Sequence, residues 1–301
     1  MTEASLSLAV PKWRDLFVMT KPTITLLVVI TAIPGLLLGA SSLPEYSLLL
    51  WTCLGAGLAS SSAAVFNQVV EHKIDQTMQR TQKRGVASNR ISRFEASVFG
   101  LILGALGMGI LYTEVNPLSA YVALSGHIFY VVVYTLILKK RTVQNIVIGG
   151  AAGSVGPLIG FAAASNSLPW EAWMMFALIF LWTPPHFWAL ALKYQNDYAA
   201  AGIPMYPVVH GDHKTRKVIY LYALTLVPVV GSFYLMTSVG FWGATISMLL
   251  TLKFSYDTWR LYRSGTNDLA MPVFHYSCLY TFLVFGIIAI ERLIHLLPKV
   301  G

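Results

Sequence analysis

Charge is what this chain has least of. Charged side chains make up 11% of its 301 residues while hydrophobic ones make up 56%, and a soluble domain carries about 25% charged residues. That shortage, with a mean hydropathy of +0.63, excludes an ordinary soluble globule. Cysteine is nearly absent as well. Cys53 and Cys278 are the only two; they form no CxxC pair, which excludes a disulfide framework and a cysteine metal site. Both fall within apolar runs and read as small packing residues. No GxSxG, HExxH or GxxxxGK[ST] motif occurs anywhere in the sequence, so a nucleophile-elbow hydrolase, a zinc protease and a P-loop enzyme have no foothold.

Long apolar runs are abundant instead. Stretches near 20 residues with few or no charges read as membrane-spanning helices. Nine are recognisable, roughly 23–43, 47–70, 94–113, 117–138, 142–164, 170–192, 218–238, 240–260 and 273–295, the eighth being the weakest because it contains Lys253 and Asp257. The expected fold is an all-α integral membrane protein, one multi-pass domain over 1–301. At the N-terminus a short apolar piece, Leu6 to Val10, precedes Lys12 and Arg14. That order is the reverse of a cleavable signal peptide, so residues 1–21 read as a cytoplasmic or interfacial lead-in. No Arg- and Ser-rich transit segment is visible, which points to a bacterial inner membrane.

The positive charges are placed asymmetrically. Nineteen of the 21 Lys and Arg residues fall in the N-terminus or in and around the loops after the second, fourth, sixth and eighth spans, Lys253 and Arg260 lying in the second half of the eighth span itself. The alternate loops, 41–46, 112–117, 165–170 and 238–240, hold none. The positive-inside rule then predicts a cytoplasmic N-terminus and an external C-terminus. This asymmetry accounts for most of the net charge of +8, and no nucleic-acid partner is needed to explain it.

Two cytoplasmic segments, about 67–93 and 186–217, carry unusual polar residues. In the first, Asn67, Glu71 and Asp75 are spaced i, i+4, i+8 and share one helix face. Arg80, Lys83 and Arg84 follow. Carboxylates that can hold Mg2+, next to cations that can take the remaining charge, suit a polyphosphate; the alternative is a solvated helix end. In the second, Lys193 and Asp197 are again i, i+4, before Gly202, Pro204 and Pro207 break the helix. This pair reads as a faint duplication of the first motif, although taken by itself it reads rather as a surface ion pair. His127 and His186 lie inside spans, where an imidazole needs a partner or a cavity, and either is a candidate axial ligand for haem iron. His72, His210 and His213 read as solvated loop residues, His275 and His295 as structural.

The pattern Asn67-x3-Glu71-x3-Asp75-x2-Met78-x-Arg80-Thr81-x2-Arg84 resembles the first aspartate-rich motif of the UbiA superfamily of intramembrane prenyltransferases. Thr20-Lys21-Pro22, the block from Tyr134 to Gly150, Pro185 to Ala191, and Asp197 to Met205 look most like the branch of that superfamily that farnesylates haem. The resemblance implies nine helices bundled around a central cavity capped by the two cytoplasmic loops. It implies transfer of farnesyl from farnesyl diphosphate to a vinyl group of haem B, with water addition, giving haem O and diphosphate. Carried over by position, Asn67, Glu71, Asp75 and Asp197 would be catalytic. Glu71, Asp75 and Asp197 would hold Mg2+ through the diphosphate, which Arg80, Lys83, Arg84 and Lys193 would bind. His186 and His127 would be the haem contacts, with haem B a substrate rather than a cofactor.

Two positions depart from the family pattern. Lys193 stands where many members have aspartate, so it would meet phosphate directly, and Gly85-Val86 replaces the usual Pro-Leu. The implied partners are the two substrates, the lipid bilayer, and a haem A synthase or terminal oxidase that would receive the product. A UbiA-type enzyme acting on a quinone or chlorin head group, and a transporter with a midplane site, are the alternative readings. The transporter would place charge near the bilayer centre, whereas here it sits at the cytoplasmic ends.

Overall fold

In the computed structural model, residues 11–298 are described. Leu6 to Val10, Lys299 and Gly301, on which part of the lead-in and topology expectations rest, lie outside them. The described chain is helical throughout. A short surface helix α1 (Lys12–Met19) precedes α2 (Pro22–Gly39), α3 (Tyr46–Thr77), α4 (Arg93–Ile110) and α5 (Pro117–Ile128). Next come α6 (Asn145–Gly153), α7 (Val155–Ser165), α8 (Trp170–Lys193), the short α9 (Gln195–Ala200), α10 (Tyr206–Gly231), α11 (Phe241–Ser264) and α12 (Ala270–Leu296). Among the described residues, eight helical segments are long and apolar enough to cross a membrane. The expected eighth span, α11, is 24 residues long but lies outside that set because Lys253, Asp257, Arg260 and Arg263 lower its hydropathy.

Several expected boundaries move, each for a local reason. The expected fifth span is two helices, α6 and α7, divided at Ser154. The 186–217 segment is mostly helix rather than loop. α8 runs unbroken through Pro184 and Pro185 to Lys193, and α10 already begins at Tyr206, with Pro207 in its first turn where a missing N–H costs nothing. Gly211, at φ 76°, bends α10 near its start. In the first polar segment α3 continues to Thr77, leaving 78–92 as the true loop, and α4 then opens with a reciprocal Ser92–Glu95 capping box. Cys53 is half-buried, but Cys278 is exposed on α12 rather than packed inside.

Small residues let the helices approach, as the absence of a hydrophobic drive between helices in lipid requires. α2 and α7 cross closely at Gly160, where any Cβ would overlap the Ala32 carbonyl and the Leu36 amide. Ser62 of α3 donates to the Gly100 carbonyl of α4 at 2.7 Å. Large buried side chains include Trp188 on α8, Phe254 on α11 and Tyr280 and Phe285 on α12, with Phe161 on α7. Between α3, α5 and α6, alanines and glycines such as Ala56, Ala59, Ala123, Gly126 and Gly153 leave a cavity.

α4 and α5 both end in wider π-type turns, over Leu111–Val115 and Phe129–Leu138. The second is ten residues long. It shifts the register of Tyr130, Tyr134 and Thr135 at the end of the bundle that bears the Lys- and Arg-rich loops, a use of π turns that recurs at functional sites.

Candidate active site

The end of α3 supplies the core of a polar cleft of about 330 Å³. Asn67, Glu71 and Asp75 all face into the structure and are 2%, 2% and 3% exposed. The reading of this face as a solvated helix end is therefore excluded. Groups this polar need partners when buried, and here each has found a cation or a hydrogen-bonding group from another part of the chain.

Arg84 donates from Nη1 to both carboxylate oxygens of Asp75, at 2.9 and 2.8 Å. Lys139, just beyond the π turn of α5, pairs with Glu71 at 2.5 Å. Lys21 donates from Nζ to Asn67 Oδ1 at 2.7 Å, and Asn67 Nδ2 donates to Thr135 Oγ1 at 3.2 Å. Thr81 Oγ1 donates to the Asp75 carbonyl at 3.0 Å and ties the loop back to the helix that carries the motif.

Lys21 is set by its backbone. It occupies the left-handed region at φ 48°, between α1 and the Pro22 that starts α2, which is uncommon for a non-glycine residue. Burial pulls its ammonium down to about 7, and the Arg84 charge adds to the shift.

Four cations, Lys21, Arg80, Arg84 and Lys139, share the cleft with two carboxylates. The surplus positive charge is that of a site waiting for an anion. A second cavity is almost wholly apolar and shares Lys21, Ile24 and Tyr130 with the first. Its walls include Ala56, Ala59, Ala63 and Gly126, with Ile159 and Val28. Tyr130 and Tyr134 stack at 5.5 Å beside the shared boundary.

The other expected site residues are placed differently. Asp197 is half-buried on α9 and is not among the residues that line the cleft. Lys193 and Lys83 are exposed, and no ion pair joins Lys193 to Asp197 among the described residues, so the surface ion-pair alternative does not hold. The second segment still reaches the first, because Arg80 lies against the Tyr198 hydroxyl; burial pushes that phenol up and Arg80 partly offsets it. His127 lines the apolar cavity, with its Nδ1 3.4 Å from the Ala59 carbonyl. His186 is stacked between Trp182 and Phe274 at 4.2 and 4.7 Å, and its Nδ1 is 2.6 Å from Ser277 Oγ.

Sequence reasoning missed Lys21 and Lys139 as site residues. Both stood inside the blocks that carry the family resemblance, Thr20-Lys21-Pro22 and Tyr134 to Gly150, but their charge was already explained by the positive-inside rule.

The donors are all oxygens, as a hard cation prefers. Yet among the described residues no three His, Cys, Asp or Glu side chains cluster to hold a metal by themselves. Glu71 and Asp75 would fit Mg2+ only with further oxygens from a ligand, the usual way this ion is bound beside phosphates.

Residues 28–283 match the model of the UbiA prenyltransferase family. Among curated relatives, the protoheme IX farnesyltransferase of Marinobacter nauticus is 42% identical over 291 residues, covering 94% of this chain and 93% of its own. That of Bordetella parapertussis is 40% identical over 294 residues, covering 97% and 99%. Among solved structures, one from a study of digeranylgeranylglyceryl phosphate synthase superposes with a TM-score of 0.76 at 17% identity, covering 93% of this chain and 98% of the other. A UbiA homologue from Archaeoglobus fulgidus bound to GPP and Mg2+ gives 0.69 at 15% identity, covering 91% and 99%. At these identities the likeness is one of fold.

Proposed function

The chain belongs to the UbiA prenyltransferase family, and from that premise we propose that it is a protohaem IX farnesyltransferase. It transfers farnesyl from farnesyl diphosphate to a vinyl group of haem B and, with addition of water, releases haem O and diphosphate. Relatives about 40% identical over nearly their whole length carry that activity in their names. The observation that carries the reading is the junction of the two cavities at Lys21, Ile24 and Tyr130. A cation-lined cleft opening into an apolar one fits a molecule with a diphosphate head and a prenyl tail.

Lys21, Arg80, Arg84 and Lys139 bind the diphosphate, and Glu71 and Asp75, with Asn67 beside them, would hold Mg2+. Bound there, Mg2+ would supply electrostatic stabilisation of the leaving group. In the free protein the carboxylates are neutralised by Arg84 and Lys139. Substrate binding exchanges these partners, freeing the two cations for phosphate. As the C1–O bond of farnesyl diphosphate breaks, negative charge grows on the leaving oxygen, and Lys21, Arg84 and Lys139, turned to the bound diphosphate by that exchange, stabilise it.

The allylic cation left behind faces the Tyr130 and Tyr134 rings, whose π faces favour positive charge. The apolar cavity keeps water from the cation until the vinyl carbon forms the new C–C bond. The second cation, next to the porphyrin, then takes the oxygen of a water molecule and releases a proton to solvent.

Asp197, Lys83 and Lys193 complete the charge around the cleft from its rim, and His186 and His127 remain the histidines assigned to haem. The chain acts as one multi-pass domain that crosses a bacterial inner membrane nine times, with α11 as the eighth crossing. Its N-terminus and site face the cytoplasm, and haem O passes to a haem A synthase or terminal oxidase.

The test is direct. Membranes containing the protein, incubated with haem B, farnesyl diphosphate and Mg2+, should yield haem O by mass. A prenylated quinone or chlorin in its place would identify a different acceptor.

A further inference from the structure

The loop that bears the cleft's cations is held from outside by α1. Asp15, 5% exposed, accepts two hydrogen bonds from Arg90, Nε to Oδ2 and Nη2 to Oδ1, both at 2.7 Å. The same Nη2 donates to the Lys83 carbonyl at 2.8 Å, so one guanidinium bridges α1 to the backbone between Arg80 and Arg84. Further along, the loop closes on itself, with the Arg90 and Ile91 amides donating to the Gly85 carbonyl at 2.9 and 3.1 Å.

The helix lies directly over that loop. A Cβ at Gly85 would sit 3.1 Å from Asp15 Cβ, which gives Gly85, a departure from the family pattern, a physical reason. Met19, at the end of α1, is buried among Val65, Val86 and Ile91, and its carbonyl accepts from Gln68 Nε2 at 2.9 Å. Two residues later the chain places Lys21 in the cleft. The outward side of α1 exposes Trp13, Phe17 and Val18, a suitable face for the bilayer interface. None of these residues lines the cleft, and nothing in the transfer chemistry requires an acid at position 15.

We propose that Asp15 and Arg90 are positioning residues, a latch between α1 and the 78–92 loop that sets Arg84 and Lys21 in register around the diphosphate. The bidentate geometry suits this task, because it fixes orientation as well as distance. The Arg90 guanidinium holds the Asp15 carboxyl below the usual carboxylate range, so the latch is ionised throughout the neutral range. The inference rests on the diphosphate reading of the cleft.

The full-length protein in lipid nanodiscs is compared with Asp15→Asn and Arg90→Gln by equilibrium binding of labelled farnesyl diphosphate and by amide hydrogen exchange. Each change should weaken binding about tenfold, the scale of one charge-assisted hydrogen bond. Exchange over 78–92 should speed up while that of α8 and α12 stays unchanged. The double variant should be no worse than the poorer single one, because the two residues act through each other, and KM for haem B should not move.

Farnesyl diphosphate affinity within twofold of the parent, or unchanged exchange over 78–92, overturns the latch. So does an equal loss of affinity for both substrates tracking a fall in Tm, which would make the contact a general brace. If Asp15→Asn does not fold, Arg90→Gln breaks the same contact from its more exposed side and decides the matter. A parent protein that binds farnesyl diphosphate but makes no haem O would overturn the acceptor reading and leave the latch standing.

Discussion

Arg84 grips both oxygens of Asp75 from nine residues further along the chain, at 2.9 and 2.8 Å. The pair keeps a nearly buried carboxylate satisfied and keeps a cation folded over the mouth of the cleft. In the proposed reaction both change partners as the diphosphate binds, which makes the contact a resting arrangement of two groups with separate tasks.

Asp75→Asn should therefore lower turnover by about a hundredfold or more, the scale for removing one preorganised charge-stabilising group. Haem B binding should be unaffected. Arg84→Gln should also be slow, and the double variant scarcely slower than the worse single one, as for residues acting as a unit. Steady-state kinetics on the three variants measures this. Fully additive losses would show that the two residues act independently.

Lys139→Met leaves Glu71 buried without its cation and removes a phosphate ligand. Truncating one partner of a buried charge pair costs about 2–5 kcal/mol. Affinity for farnesyl diphosphate should fall at least thirtyfold on that scale, accompanied by a lower Tm. Equilibrium binding and thermal unfolding together separate the two effects.

Lys21 makes binding depend on pH. With its ammonium pulled down to about 7 in the free protein, Lys21 is increasingly neutral as pH rises above 7. A bound diphosphate favours the charged form, so binding takes up a proton. Affinity should be highest below pH 7 and weaken by up to about tenfold per pH unit above it, following linkage. Calorimetry in two buffers of different ionisation enthalpy should report the proton uptake, and Lys21→Met should abolish it.

His186 offers a choice between two roles. Its contacts with Ser277, Trp182 and Phe274 predict that His186→Ala costs about 2 kcal/mol of stability, the scale of a buried large-to-small change. If these contacts are its whole role, KM for haem B will not move. A selective rise in that KM, with farnesyl diphosphate affinity unchanged, would establish the haem contact instead.

Reporter fusions check the orientation. One after Arg93 should read cytoplasmic and one at Ser165 external. The opposite result at Ser165 would overturn the nine-crossing arrangement, in which α11 is the most polar member.

The fold was legible in the sequence to the extent that local physics writes it. Apolar runs about 20 residues long must be helices in lipid, because every backbone polar group there needs an internal partner. The i, i+4, i+8 spacing likewise put Asn67, Glu71 and Asp75 on one face without any knowledge of the rest. Less legible were the ends of elements. The reach of α3 to Thr77 and of α10 back to Tyr206 follows from packing, which carries helix beyond the apolar stretch.

The site divides in the same way. By itself, the sequence determined the class of protein, the helical face of the first motif and the family to which its blocks belong. Only the tertiary structure decided the rest: that this face is buried, that Lys21 and Lys139 reach Asn67 and Glu71 across separations of 46 and 68 residues, and that Asp197 stays outside the lined cleft. The reason is physical. Helical periodicity fixes neighbours three and four residues apart, whereas contacts between distant residues depend on how closely helices cross, and that is set by small residues such as Gly160 together with the π turn at the end of α5.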